Sequence, residues 1–235
     1  MVKPKKTQVE QGDRGIYDEV NPFTYRSKTE VGLNEEIVRQ ISAEKDEPQW
    51  MLEARLKALE IFNQSQSPVW GPDLSEVDME KVVTYIRPDA DLSEDWNQVP
   101  DEIRDTFDKL GIPEAEKESL LSGVGAQYDS EVVYHSIQEH LTEQGVIFTD
   151  FETGLREHEE IVKEYFSQAI KPTLHRYAAL HYAVWSGGSF VYVPKGVDVD
   201  VPLQAYFRFN APGAGQFEHT LIIIDEGAKC HFIEG

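Results

Sequence analysis

Cysteine is almost missing from this sequence: Cys230 is the single one in 235 residues. One thiol excludes an internal disulfide framework and fits a reducing compartment. Cations are scarce as well, with 22 Lys and Arg against 43 Asp and Glu, for a net charge of −21. Nucleic acid is disfavoured as a partner, because phosphate contacts need a basic patch that releases counterions. An anionic membrane surface is disfavoured for the same reason. The longest purely aliphatic run is Leu221 to Ile224, so no stretch is long enough to span a bilayer. Met1 to Lys6 is basic, but no apolar stretch of the secretory kind follows it. These absences together predict a soluble, cytoplasmic chain.

Chemical motifs are equally thin. There is no Gly-x-Ser-x-Gly elbow, no His-Glu-x-x-His run and no His-x-His pair. Ser186-Gly187-Gly188-Ser189 lacks the lysine and the spacing of a phosphate loop, and reads as a turn or a close backbone approach.

What is present is a folded composition, 40% hydrophobic and 11% aromatic. Its charge is unevenly placed. Residues 171–235 hold five Lys and Arg against six Asp and Glu, so nearly all of the −21 lies in residues 1–170. Two readings of that acidity stand side by side: solvated helix faces, or adaptation to high salt. The break near residue 170 suggests two differently built regions after a flexible tail at 1–30.

Residues 31–170 read as an acidic, mostly helical region with a small strand pair. Ile37, Val38 and Ile41 make a short helix. Asp46-Glu47-Pro48 starts a second, running to about Gln64, with Leu52, Leu56 and Leu59 on one face and Met51, Ala58 and Phe62 widening it. Pro100 opens a third, with Ile103, Phe107 and Leu110 on one face, and Gly111 closes it. Another short helix is expected from Pro113 to near Gly123. Val132–His135 and Val146–Thr149 read as strands around a helix ending at Gln144. Acidic helices then reach about Gln168, and Thr173–Trp185 continues helical. In residues 171–235 the period changes: Ser189–Val193, Val199–Phe209, Phe217–Ile224 and Cys230–Ile233 are short strands split by Gly and Pro turns, an all-β stack.

Candidate ligands are few. Iron–sulfur clusters are commonly held by four thiolates, so Cys230 cannot hold one unaided. Cys230 and His231 are adjacent and point to opposite faces of a strand, which bars joint chelation. His219 shares a face with Phe217, Leu221 and Ile223, with Glu218 on the other. A metal-dependent β-helix or cupin-like enzyme would draw on His219, Glu218 and His231. Histidines are also ordinary residues of such stacks. His135 and His140, five apart, and His175 and His181, six apart, share no helix face.

Six collinear segments resemble one known family: DEPQWML (46–52), FDKLGIPEAE (107–116), GAQYDSEVVY (125–134), AVWSGGSFVYVPK (183–195), PLQAYFRF (202–209) and QFEHTLIIIDEG (216–227). They resemble SufB of the SufB/SufD family, scaffold of the SUF iron–sulfur cluster assembly system, over about residues 30–235 and only its N-terminal half. The resemblance implies an α+β fold in which a mixed helical N-terminal region leads into the first rungs of a right-handed parallel β-helix. It implies a non-enzymatic scaffold working with a SufD-like paralogue, a SufC-like ATPase and a sulfur donor protein. The cargo would be an iron–sulfur cluster, which this stretch is not expected to hold alone.

His231-Phe232-Ile233-Glu234-Gly235 matches the family pattern up to the residue before a family cysteine. Cys230 falls where relatives carry another residue, so it is a weak ligand candidate. Ending there is what a splicing element, a split gene or a truncated reading frame would each produce. A remnant able only to pair with a partner is the third functional reading. An apolar cross-section at the last rungs is then expected to drive association.

Overall fold

The computed structural model describes residues 24–71, 73–109 and 123–235. β1 (Tyr25–Lys28) pairs antiparallel with β2 (Ile86–Pro88). That corrects the reading of residues 1–30 as tail at its last residues. Tyr-Arg-Ser-Lys carries no apolar alternation; a partner about sixty residues on completes its backbone bonds, and Arg26 clasps Asp89 and Asp91 at 3.1 and 2.6 Å.

Helix α1 (Glu35–Glu44) starts at Asn34, whose side chain accepts from the Ile37 amide at 3.0 Å, with Glu35 and Glu36 favourable to the helix dipole. It buries Ile37, Val38 and Ile41 as their spacing predicts. Helix α2 (Gln49–Gln64) begins behind Pro48, whose fixed φ suits the cap, and ends as Ser65 turns extended. Its buried face is Met51, Arg55, Ala58, Leu59 and Phe62, while Leu52 and Leu56 are only half-buried. The stripe is thus rotated from the expected leucine line, and a charged side chain lies within it.

Helix α3 (Asp101–Lys109) buries Ile103 and Phe107 completely, against β3 and β4. Leu110, Gly111 and the helix expected after Pro113 lie outside the described residues. Strand β3 (Gly123–Tyr128) begins where that helix was expected to stop. A tight turn at Asp129 and Ser130 joins it to β4 (Glu131–Ile137); α4 (Glu139–Glu143) and β5 (Ile147–Asp150) follow. Helices α5 (Phe151–Glu157), α6 (Glu159–Tyr165) and α7 (Arg176–Val184) come next. Asp150 caps α5 through the Thr153 amide at 2.8 Å, and His175 caps α7 through its Nδ1 and the Ala178 amide at 3.1 Å.

The last quarter alternates between two sheets. β6 (Ser189–Val193) and β8 (Leu221–Ile224) run parallel in one, in the order β5-β6-β8; β7 (Leu203–Arg208) and β9 (Phe232–Glu234) run parallel in the other, in the order β4-β3-β7-β9. β7 is shorter than expected because Pro202 can donate no ladder bond. β8 starts late because Phe217 and His219 bond instead to the Ser186–Gly187 linker. Each sheet takes strands from both sides of residue 170, so the change in charge is no seam in the hydrogen bonding. Between the sheets Phe148, Val191, Val193, Val199 and Leu203 make a core; a second core joins the helices to the other face of β6 and β8. Ile222 and Ile224, each 41% exposed, stand on the edge strand β8. Among the described residues no helix is long and apolar enough to cross a membrane.

Candidate functional site

The polar groups of the interior converge on Trp185-Ser186-Gly187-Gly188, which joins α7 to β6. Gly187 and Gly188 hold φ of +71° and +95°, a region L side chains rarely enter, and a Cβ on Gly188 would overlap the His219 backbone. The Gly-rich motif is therefore a close backbone crossing. Ser186 N donates to Phe217 O at 2.9 Å and His219 N to Gly187 O at 3.2 Å. Gly188 N donates to Gln127 Oε1 at 2.8 Å, and Gln127 Nε2 to Asp129 O at 2.8 Å.

Gly187 N also donates to Glu152 Oε1 at 2.7 Å, and the same oxygen accepts from Lys45 Nζ. Lys45, buried at the end of α1, donates to Glu131 Oε1 at 3.1 Å, an atom that Tyr85 OH also reaches at 2.6 Å. Burial works against the ammonium, but Glu131 and Glu152 outweigh it and raise its pKa. Burial likewise works against the Glu152 carboxylate, and Lys45 with the Gly187 amide outweighs it and lowers its pKa. A second pair is as dry. Arg55 is fully buried, forks onto Glu47 at 2.8 and 2.5 Å, donates to Ala183 O at 3.3 Å and lies 4.2 Å over the Trp185 ring.

His219 sits in the middle of the aromatic core. Its Nδ1 is 2.7 Å from His181 Nε2, and the two rings stack with centroids 5.0 Å apart. Phe151 and Phe166 close around it at 4.6 and 5.1 Å, with Trp185 and Tyr182 each at 5.6 Å. Burial, then Arg55, lowers His181 to about 4. Burial, then His181 and Arg55, holds His219 well below the usual histidine range. Both rings are neutral at pH 7; one nitrogen donates and the other accepts, so both facing atoms are spent on each other.

The three residues of the metal reading are not gathered. His219 is buried and paired with His181, Glu218 is half-buried beside it just before β8, and His231 is exposed just before β9. Among the described residues no group of three His, Cys, Asp or Glu is placed to hold a metal. Cys230 is half-buried against the core between the sheets, away from the exposed His231, and burial raises its thiol pKa. The sequence reading missed Lys45, Glu47, Arg55, Glu152 and the partner of His219. For Arg55 a signal existed, a charge at the i+4 position between Met51 and Leu59 on an apolar face. His181 had been weighed only against His175, six residues back, whereas its partner is 38 residues on.

This seam joins α1, α2, α5, α7 and the strands through paired buried charges and backbone bonds, while Trp185 Nε1 and Ser186 Oγ are buried with no hydrogen-bond partner among the described residues. The family model described as the SufBD protein N-terminal region matches residues 35–205. An iron–sulfur cluster assembly SufBD family protein of Staphylococcus haemolyticus is 54% identical over 222 residues, covering 94% of this chain and 47% of its own. One of Staphylococcus aureus MRSA252 is 52% identical over 218 residues, covering 93% and 46%. One of Mycobacterium tuberculosis H37Rv is 55% identical over 204 residues, covering 87% and 24%. The chain therefore spans about half the length of the staphylococcal relatives and about a quarter of the mycobacterial one. The residues that build the seam, from Lys45 to Gly188, fall inside the matched region, and the chain belongs to the SufBD family of iron–sulfur cluster assembly proteins.

Proposed function

We propose that the chain is the N-terminal part of a scaffold subunit that helps assemble iron–sulfur clusters, SufB-like rather than SufD-like, without catalytic activity of its own. The observation that carries this reading is the family match across residues 35–205 together with about half-identity to curated relatives. The strand order supports a parallel β-helix as its framework. β6, β7, β8 and β9 alternate between two sheets, and β8 runs parallel to β6 and β9 to β7, the spacing that successive rungs of such a helix would have. The seam at Gly187–Gly188 fixes the helical region to the first rung.

The cluster is cargo in this reading. One thiol cannot bind it, so its ligands come from other sequence of the assembly, and this chain contributes the rigid base of the rung stack. A SufD-like paralogue, a SufC-like ATPase and a sulfur donor protein are the proposed partners, in the cytoplasm.

The test is anaerobic reconstitution with ferrous iron and sulfide, followed by visible absorption. The chain alone should hold no cluster, and a full-length relative carrying residues 24–235 of this sequence in place of its own should hold one. A chimera that folds and still reconstitutes nothing would overturn the scaffold reading. A stoichiometric cluster on the chain alone, lost with Cys230→Ser, would overturn the view that ligands lie elsewhere.

A further inference from the structure

A groove of about 400 Å³ opens between β4, β5 and α5. The size lies within the usual range for ligand sites. Its floor is apolar, from Ile137, Ile147 and Phe148, and its rim carries Glu94 and Glu157. Among the described residues no lysine or arginine lines it; Arg156 donates to Thr153 Oγ1 at 3.0 Å on the α5 side and stays outside the lining. Neither carboxylate is paired with a cation among the described residues.

Two further features narrow the occupant. β4 and β5 each end their sheet among the described residues, so the groove lies between two strand edges. Outward backbone groups of β4 are met as far as His135 by the bridge from Ser93, and the His135 ring bonds the Phe148 backbone of β5; among the described residues no bridge covers Ile137 or the rest of β5. His135, on the groove wall, also has a buried Nε2 with no hydrogen-bond partner. Strand edges offer backbone bonds, an apolar floor takes alternate side chains, and uncompensated carboxylates take cations.

We propose that this groove is a docking site for an extended segment of a partner polypeptide in which lysine or arginine alternates with apolar residues. Its apolar side chains rest on Ile147 and Phe148, its cations meet Glu94 and Glu157, and its backbone pairs with the β4 edge at Ile137. The segment's charge is opposite to that of the chain as a whole, so long-range attraction speeds encounter as well.

The test titrates the 235-residue chain by amide-resolved NMR with three probes: the blocked peptide Lys-Leu-Lys-Val-Lys-Leu, the same peptide with Glu for Lys, and spermidine. Saturable shifts at residues 135–137 and 145–149 from the basic peptide alone, weakened five-fold or more by Glu94→Gln with Glu157→Gln, are the expected result. The two substitutions are at exposed positions, so the variant should keep the wild-type spectrum elsewhere. Spermidine matching the peptide in map and affinity would overturn the proposal, because charge alone would then account for binding. Shifts spread over other acidic faces, or unchanged by the double variant, would overturn it too.

Discussion

Arg55 and Lys45 show how much one buried cation can hold. Each is out of water and each is matched by carboxylates, Glu47 in one case and Glu152 with Glu131 in the other. Removing one member of such a pair leaves an uncompensated buried charge, which costs about 3–5 kcal/mol. Arg55→Met should therefore lower the unfolding free energy by that amount in urea titration, and Glu47→Leu added to it should restore part. If the double variant is no more stable than the single one, the cost lies in lost packing on Trp185 instead. Gly188→Ala is a second test at this scale. A side chain at φ +95° carries strain of roughly 1–3 kcal/mol, and its overlap with the His219 backbone adds to that, so loss of the cooperative transition or a comparably large destabilisation is expected.

At the scale of elements, the histidine pair ties α7 to the segment entering β8, and the tie depends on pH. Both rings have pKa values below the 6.5 of a free histidine, His181 at about 4. A depressed folded-state pKa means that the unfolded chain takes up protons first. The contribution is therefore complete above pH 6.5 and is lost as pH falls through the folded value near 4. For His181 this amounts to something on the order of 3 kcal/mol. Stability measured from pH 7 to 4 should fall, and His181→Phe with His219→Phe should flatten that slope; an unchanged slope would remove the pair from the explanation. Glu152, also depressed, adds its own loss below its free value of 4.5, so the histidine effect is read between 6.5 and 5. Element by element, the helices were legible where cap and period agreed. Pro48 set the start of α2 and the extended turn at Ser65 its end, but the face it buries was set by α7, whose Ala178, Ala179 and Ala183 let the chain approach.

For the whole molecule, a charge of −21 repels itself, and salt screens the repulsion over about 10 Å at 0.1 M. The melting temperature should rise from 0.05 to about 1 M KCl, which also bears on whether the acidity is salt adaptation. No rise would mean that the carboxylates are too dispersed to matter. Among the described residues β8 and β9 each end their sheet, with Ile222 and Ile224 exposed, which places an open strand edge beside apolar surface. Light scattering should show concentration-dependent association that Ile222→Lys with Ile224→Lys suppresses; a monodisperse wild-type monomer would count against association through this edge.

Family membership, the order of helices and late strands, and the opposite facing of Cys230 and His231 follow from the sequence by itself, because caps, turns and side-chain periods act over a few residues. The tertiary structure alone decided which distant buried polar groups meet. Lys45 and Glu152 are 107 positions apart, Arg55 and Ala183 128, and His181 and His219 38. It also decided that β3 and β4 join the late strands in one sheet. Such contacts depend on how elements stack around a shared core, and no local pattern in the chain records that.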